Sequence, residues 1–213
     1  MDAGGRSPRG RRVGPRRLLG IDRSGPNPRE TGSDQPWRPL TLPNLIGFLR
    51  LAGIPVYLVL AFESGDGRTA TAAALYLAIT ASDYLDGFLA RATGQYSRLG
   101  ALLDPLVDRL TVLAGVVVCW HFELLPRWAL AALVLRELVT LLLAQLALRR
   151  GVELQITWIG RISVFLVFGG LFWAQVVDWL AIDIMFIAGV VLAYAATALY
   201  VRSGIRRAES ATA

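Results

Sequence analysis

Past residue 36 the chain becomes apolar in six long blocks separated by short polar connections, at about 44–62, 69–92, 99–122, 128–148, 156–178 and 182–201. Each block is close to the roughly 20 residues that a helix needs to cross the hydrocarbon core of a bilayer. The pattern predicts an all-α integral membrane protein, a bundle of six transmembrane helices. Trp37, Leu40 and Leu42 mark the interface before the first block, and Pro43 opens it, where a missing N–H is not needed. Blocks two, five and six carry small residues, including Ala70 to Ala74, Gly169, Gly170 and Gly189. These allow close helix approach, in packing or in a homodimer.

The connections fix an orientation. Arg91 and Arg98 flank the link between blocks two and three, Arg149 and Arg150 follow block four, and Arg202, Arg206 and Arg207 follow block six. The other connections, Glu63 to Arg68, Glu123 to Arg127 and Asp178 to Asp183, are balanced or acidic. The positive-inside rule then places both termini and the 92–99 link on the cytoplasmic side of a bacterial-type cytoplasmic membrane. Residues 1–36 hold eight Arg and four acids among Gly and Pro, and have too little apolar surface to order themselves. They read as a disordered basic cytoplasmic tail ahead of a 37–202 membrane domain, with 203–213 as a second tail. Arg16-Arg17-Leu18-Leu19 resembles a twin-arginine signal only in passing, because Gly20-Ile21-Asp22-Arg23 follows where an apolar stretch is required.

Composition adds one point: all 22 basic residues are Arg, in a chain of net charge +6. Arginine at the ends of apolar helices suits anionic headgroups and phosphates, and biased codon usage accounts for the absence of Lys equally well. Membrane lipid, not nucleic acid, is the partner expected. Cys119 is the single cysteine, so there is no internal disulfide, and it reads as a small core residue. His121 is assigned no chemistry.

The chemistry is concentrated in one polar stretch. Asp83-Tyr-Leu-Asp86-Gly87-Phe-Leu-Ala90-Arg91 is followed, after eight residues, by Gly100-Ala-Leu-Leu-Asp104-Pro-Leu-Val-Asp108. An ionised Asp at a helix centre costs about 2.5–3.5 kcal/mol by insertion scales, so these four carboxylates require a counter-charge. Asp83 and Asp86 are i, i+3 and Asp104 and Asp108 are i, i+4, so each pair shares a helix face. In a hairpin about Gln95, Asp86 and Asp104 both lie nine residues from the link and Asp83 and Asp108 twelve and thirteen, which makes two matched levels. Oxygen-only ligands suit two hard divalent ions, Mg2+ or Mn2+. Gly87 and Ala90 keep the same face shallow and Arg91 offers a fork for phosphate. Together these groups suit a diphosphate.

The stretch resembles the signature of the CDP-alcohol phosphatidyltransferases, Asp-x2-Asp-Gly-x2-Ala-Arg-x8-Gly-x3-Asp-x3-Asp, at every fixed position: Asp83, Asp86, Gly87, Ala90, Arg91, Gly100, Asp104 and Asp108. The resemblance implies metal-dependent transfer of the phosphatidyl group of CDP-diacylglycerol to an alcohol with release of CMP. It implies that Asp83, Asp86, Asp104 and Asp108 hold the metals, that Gly87, Ala90, Arg91 and Gly100 accommodate CDP-diacylglycerol, and that Asp108 is also the base. Gln95 to Gly100, Asp104 to Arg109, Arg136-Glu137 and Trp158 to Arg161 are similar to the phosphatidylglycerophosphate synthase and eukaryote-like bacterial cardiolipin synthase branch. The acceptor implied is glycerol 3-phosphate first and phosphatidylglycerol second. Arg161 and Arg136, ionisable residues in apolar blocks, are candidates for its phosphate; for Arg136 a structural pairing with Glu137 or an aspartate is the alternative. Asn44 is either a headgroup contact or a helix cap. In a different class, a divalent-cation transporter would also place carboxylates in a bundle, but it gives no purpose to Gly87, Ala90 and Arg91. Labelled Mn2+ crossing sealed vesicles without lipid substrate would mark a transporter.

Overall fold

The computed structural model of the protein describes residues 41–93, 97–149 and 158–212, with side chains described throughout except at 84, 86–93, 98, 101, 144, 146–149, 200 and 202–212. Among these residues there are six helices and no strand: α1 Leu42–Glu63, α2 Ala70–Thr93, α3 Arg98–His121, α4 Arg127–Arg149, α5 Trp158–Ala174 and α6 Leu180–Thr212. The first four agree with the apolar blocks to within two residues. By length and composition, α1 and the Leu180–Leu199 part of α6 are sufficient to cross a membrane, and α5 is apolar but shorter. The expectations for residues 1–36 and for Trp37 lie outside the described residues.

Two compact units divide the chain, one of residues up to Leu49 with Ala81–Leu106, the other of Arg50–Thr80 with Val107–Ala213. In the first, two capped helix starts are linked. Thr41 caps α1, its Oγ1 accepting the Asn44 N–H at 3.4 Å, and Ser97 caps α3, its Oγ accepting the Gly100 N–H at 2.9 Å. The Ser97 hydroxyl in turn donates to Asn44 Oδ1 at 2.8 Å.

In the second unit the buried core includes Tyr57, Tyr76, Leu130, Leu133, Leu171 and Phe186. Helices α5 and α6 pack closely through glycine. A Cβ on Gly170 would stand 2.8 Å from Phe186 Cβ, and one on Gly189 would stand 2.9 Å from the backbone N of Val167. Helix α5 stops at Ala174, four residues before the apolar block does. Gln175 is the reason: its Nε2 donates to the Leu171 carbonyl at 2.8 Å while its Oε1 accepts the Tyr57 hydroxyl at 2.9 Å, so the amide closes the last turn and anchors it to α1. The α1–α2, α3–α4 and α5–α6 connections meet. Phe62 and Phe122 have ring centroids 5.6 Å apart and Arg68 Nη2 is 3.3 Å from Asp178 Oδ2. Large apolar side chains are exposed outward, among them Leu49, Leu142, Phe165 and Leu180.

Candidate active site

Helix α2 carries Asp83 and Asp86, and α3 carries Asp104 and Asp108. Both segments are helical through the whole motif, which is the condition for each pair to share a face. Pro105 stands in the second turn of α3 without interrupting it. Asp83 is half-buried, Asp104 is exposed and Asp108 is half-buried. The side chains of Asp86, Gly87, Ala90 and Arg91 lie outside the described residues. A Cβ on Gly100 would be 2.7 Å from Asn44 Oδ1, so its bareness makes room for the Asn44–Ser97 bond. Asn44 itself is 2% exposed, and Thr41, not Asn44, supplies the cap of α1.

In the second unit a residue that sequence reasoning missed meets the motif. Arg50 of α1 is 3% exposed, and its Nη2 lies 2.6 Å from Asp108 Oδ1. Its Nε donates to the backbone carbonyl of Ile79, in α2, at 3.1 Å. The signal was present in the sequence as a lone arginine in Phe48-Leu49-Arg50-Leu51, and an ionisable residue within an apolar span is a functional candidate by default.

A second charged cluster joins α3 and α4. Arg136 Nη1 donates to Glu137 Oε1, and Arg109 Nη1 lies 3.9 Å from Glu137 Oε2. Two guanidinium groups thus share one carboxylate, leaving a surplus positive charge. Arg136 Nε and Arg109 Nη1 are buried without a hydrogen-bond acceptor among the described residues. Such donors are costly unless a ligand or water satisfies them. Arg109 was not singled out from the sequence. Arg161 differs: it is exposed, with its guanidinium carbon 5.1 Å from the centroid of the Trp158 ring.

Among the described side chains no three of His, Cys, Asp or Glu stand as a group able to hold a metal ion, and Asp86 is not one of those described. The donor set fits a hard cation in kind. Its members are carboxylates alone, and the one His and one Cys of the chain, His121 and Cys119, are three turns further along α3 than Asp108.

Comparison with known proteins gives a consistent picture. Residues 40–201 match the family model described as CDP-alcohol phosphatidyltransferase. The chain is 40% identical over 132 residues to a protein of Streptomyces coelicolor named cardiolipin synthase (CMP-forming), a match covering 60% of this chain and 61% of the relative. It is 33% identical over 129 residues to a putative cardiolipin synthase of Mycobacterium tuberculosis, covering 60% of this chain and 61% of that protein. It is 28% identical over 148 residues to the CDP-diacylglycerol–glycerol-3-phosphate 3-phosphatidyltransferase of Bacillus subtilis, covering 64% of this chain and 72% of the relative. The chain therefore spans about three fifths of the Streptomyces and Mycobacterium relatives.

Proposed function

We propose, because this chain belongs to the CDP-alcohol phosphatidyltransferase family, that it transfers the phosphatidyl group of CDP-diacylglycerol to a glycerol-type acceptor and releases CMP. The observation that carries the proposal is the complete eight-position motif on two helices, α2 and α3. The acceptor hydroxyl attacks the lipid-bearing phosphorus, its proton passes to Asp108, and the bond from that phosphorus to the bridging oxygen breaks so that the oxygen leaves with CMP. Phosphoryl transfer asks a protein chiefly for positioning and for charge. Asp83, Asp86, Asp104 and Asp108 are the residues that would hold two Mg2+ or Mn2+ ions. When bound, a divalent ion neutralises diphosphate charge and acidifies a nearby hydroxyl. Gly87, Ala90, Arg91 and Gly100 accommodate CDP-diacylglycerol, and Gly100 also clears Asn44.

Both acceptors under consideration present a glycerol hydroxyl and a phosphate. The 40% identity to the Streptomyces cardiolipin synthase, against 28% to the Bacillus enzyme, favours phosphatidylglycerol over glycerol 3-phosphate. Arg161 binds the acceptor phosphate from an exposed position, and Arg136 with Arg109 offers the buried donors that a phosphate oxygen satisfies. We assign Asn44 to holding Ser97 and the start of α3.

The chain works as six membrane-spanning helices with both termini and the motif's link in the cytoplasm. Support comes from the outward apolar side chains and from the meeting of three alternate connections that lack surplus positive charge. Gly170 and Gly189 are filled by Phe186 and the Val167 backbone, so they serve packing within the chain, and a homodimer would use another face. The test is purified protein in vesicles with CDP-diacylglycerol, divalent metal and either acceptor, read by lipid chromatography. Cardiolipin from phosphatidylglycerol supports the first acceptor, phosphatidylglycerophosphate from glycerol 3-phosphate replaces it with the second, and CMP release with neither product refutes the acceptor class.

A further inference from the structure

We propose that Arg50 is the positioning residue for Asp108, holding its carboxylate in the orientation the reaction uses; this rests on the assignment of Asp108 to phosphatidyl transfer. Two of the bonds that Arg50 makes run in different directions. Nη2 takes Asp108 Oδ1 at 2.6 Å, and Nε takes the Ile79 carbonyl at 3.1 Å. The carbonyl bond fixes the plane of the guanidinium, because Nε lies in that plane and a donor fork is rigid. With the fork fixed, the bond to Oδ1 restrains the torsions of the Asp108 side chain. The Ile79 carbonyl is also the one that, in α-helix geometry, receives the N–H of Asp83. Arg50 therefore joins α1 to the turn of α2 that leads into the motif and to the last aspartate of the motif on α3.

Stability alone is a poor account of such a pair. Asp108 is half-buried, so water screens the attraction, while the buried Arg50 still carries a desolvation cost that offsets most of what the pair contributes. The value of such a pair lies in the orientation it sets. Lysine, a point charge on a flexible stem, cannot bond a carbonyl and a carboxylate in two fixed directions. Small displacements of a reacting group matter, since a shift of about 1 Å costs on the order of 100-fold in rate.

The experiment is a double-mutant cycle on the purified full chain, with Arg50→Lys, Asp108→Asn and the double variant assayed for kcat and for the KM of CDP-diacylglycerol. Thermal midpoints are recorded alongside. Arg50→Lys is expected to lower kcat by roughly 10- to 100-fold, with KM within about threefold of wild type, and to have no further effect once Asp108 is Asn. If the two losses multiply, Arg50 acts independently of Asp108 and the proposal is overturned. It is also overturned if Arg50→Lys has wild-type kcat while Asp108→Asn is impaired, an outcome that leaves the proposed function standing. Normal turnover by Asp108→Asn would instead remove the role of Asp108 and the proposal with it. Where the Lys variant does not fold, guanidinium NMR of arginine-labelled wild type and Asp108→Asn decides. Faster rotation of the Arg50 fork in the variant supports the pairing, and unchanged rotation overturns it.

Discussion

Replacing Arg161 by Met tests the acceptor site without touching the motif. The side chain is exposed and its guanidinium rests over Trp158 at 5.1 Å. A charge-assisted bond to a phosphate contributes about 1.5–3 kcal/mol, and a cation–π contact at an exposed site contributes about 0.5–1 kcal/mol. Taking the phosphate draws the guanidinium from the ring, so the net loss on substitution is about 1–2 kcal/mol, or roughly 5- to 30-fold in acceptor KM. The KM of CDP-diacylglycerol is expected to stay within about twofold, because the nucleotide lipid is assigned other residues. Initial rates in mixed vesicles, with one substrate varied and the other saturating, separate the two constants. Trp158→Leu is the companion variant: freeing the guanidinium from the ring should leave the acceptor KM unchanged or lower it slightly. An unchanged acceptor KM in Arg161→Met, or a rise confined to CDP-diacylglycerol, refutes the assignment.

Three further outcomes are expected. Asp108→Asn should lower kcat by about 10²–10⁴, the usual contribution of a general base, while calorimetry shows metal-dependent CDP-diacylglycerol affinity retained; collapse of that affinity would make Asp108 a ligand only. Tyr57→Phe and Tyr76→Phe should move stability in opposite directions by about 1 kcal/mol each. The Tyr57 hydroxyl donates to Gln175, whereas the Tyr76 hydroxyl is buried with no hydrogen-bond partner among the described residues, so denaturation midpoints that fall for both variants would show the second hydroxyl to be satisfied. Gly189→Val should destabilise by about 1–3 kcal/mol through overpacking, since the Val167 backbone N is 2.9 Å from the new Cβ; an unaltered midpoint in detergent would mean that α5 and α6 separate at no cost.

The motif and the helices were legible in the sequence because both are local patterns. Spacing within Asp83 to Asp108 specifies faces of helices, and apolar block length specifies where helices stop to within two residues for α1 to α4. Legibility failed where a side chain bonds across the fold. Nothing in the local pattern of 156–178 reveals that Gln175 will turn back on Leu171 and receive Tyr57. Nor does local pattern reveal that a Cβ on Gly100 would stand 2.7 Å from Asn44 Oδ1. Sequence reasoning also paired Arg136 correctly with Glu137 as one alternative, but not the second guanidinium of Arg109 on the same carboxylate.

Helix α1 shows why such residues escape notice. Its buried positions are Asn44, Gly47, Arg50, Ile54, Tyr57 and Ala61, a spacing of three, three, four, three and four that traces one stripe of the helix. Apolar Leu42, Leu45, Phe48, Leu49, Val56 and Val59 lie on the exposed side. In a water-soluble helix the polar residues of such a stripe would face outward. In α1 the exposed side is apolar, and Asn44, Arg50 and Tyr57 bond instead to Ser97, Asp108 and Gln175. The first apolar segment therefore supplies a polar contact to α3 at its start, to the final aspartate of the motif, and to the end of α5. Within an apolar span, polar residues that fall on one stripe mark the side turned away from the exposed apolar face, and the charged one among them is a functional candidate.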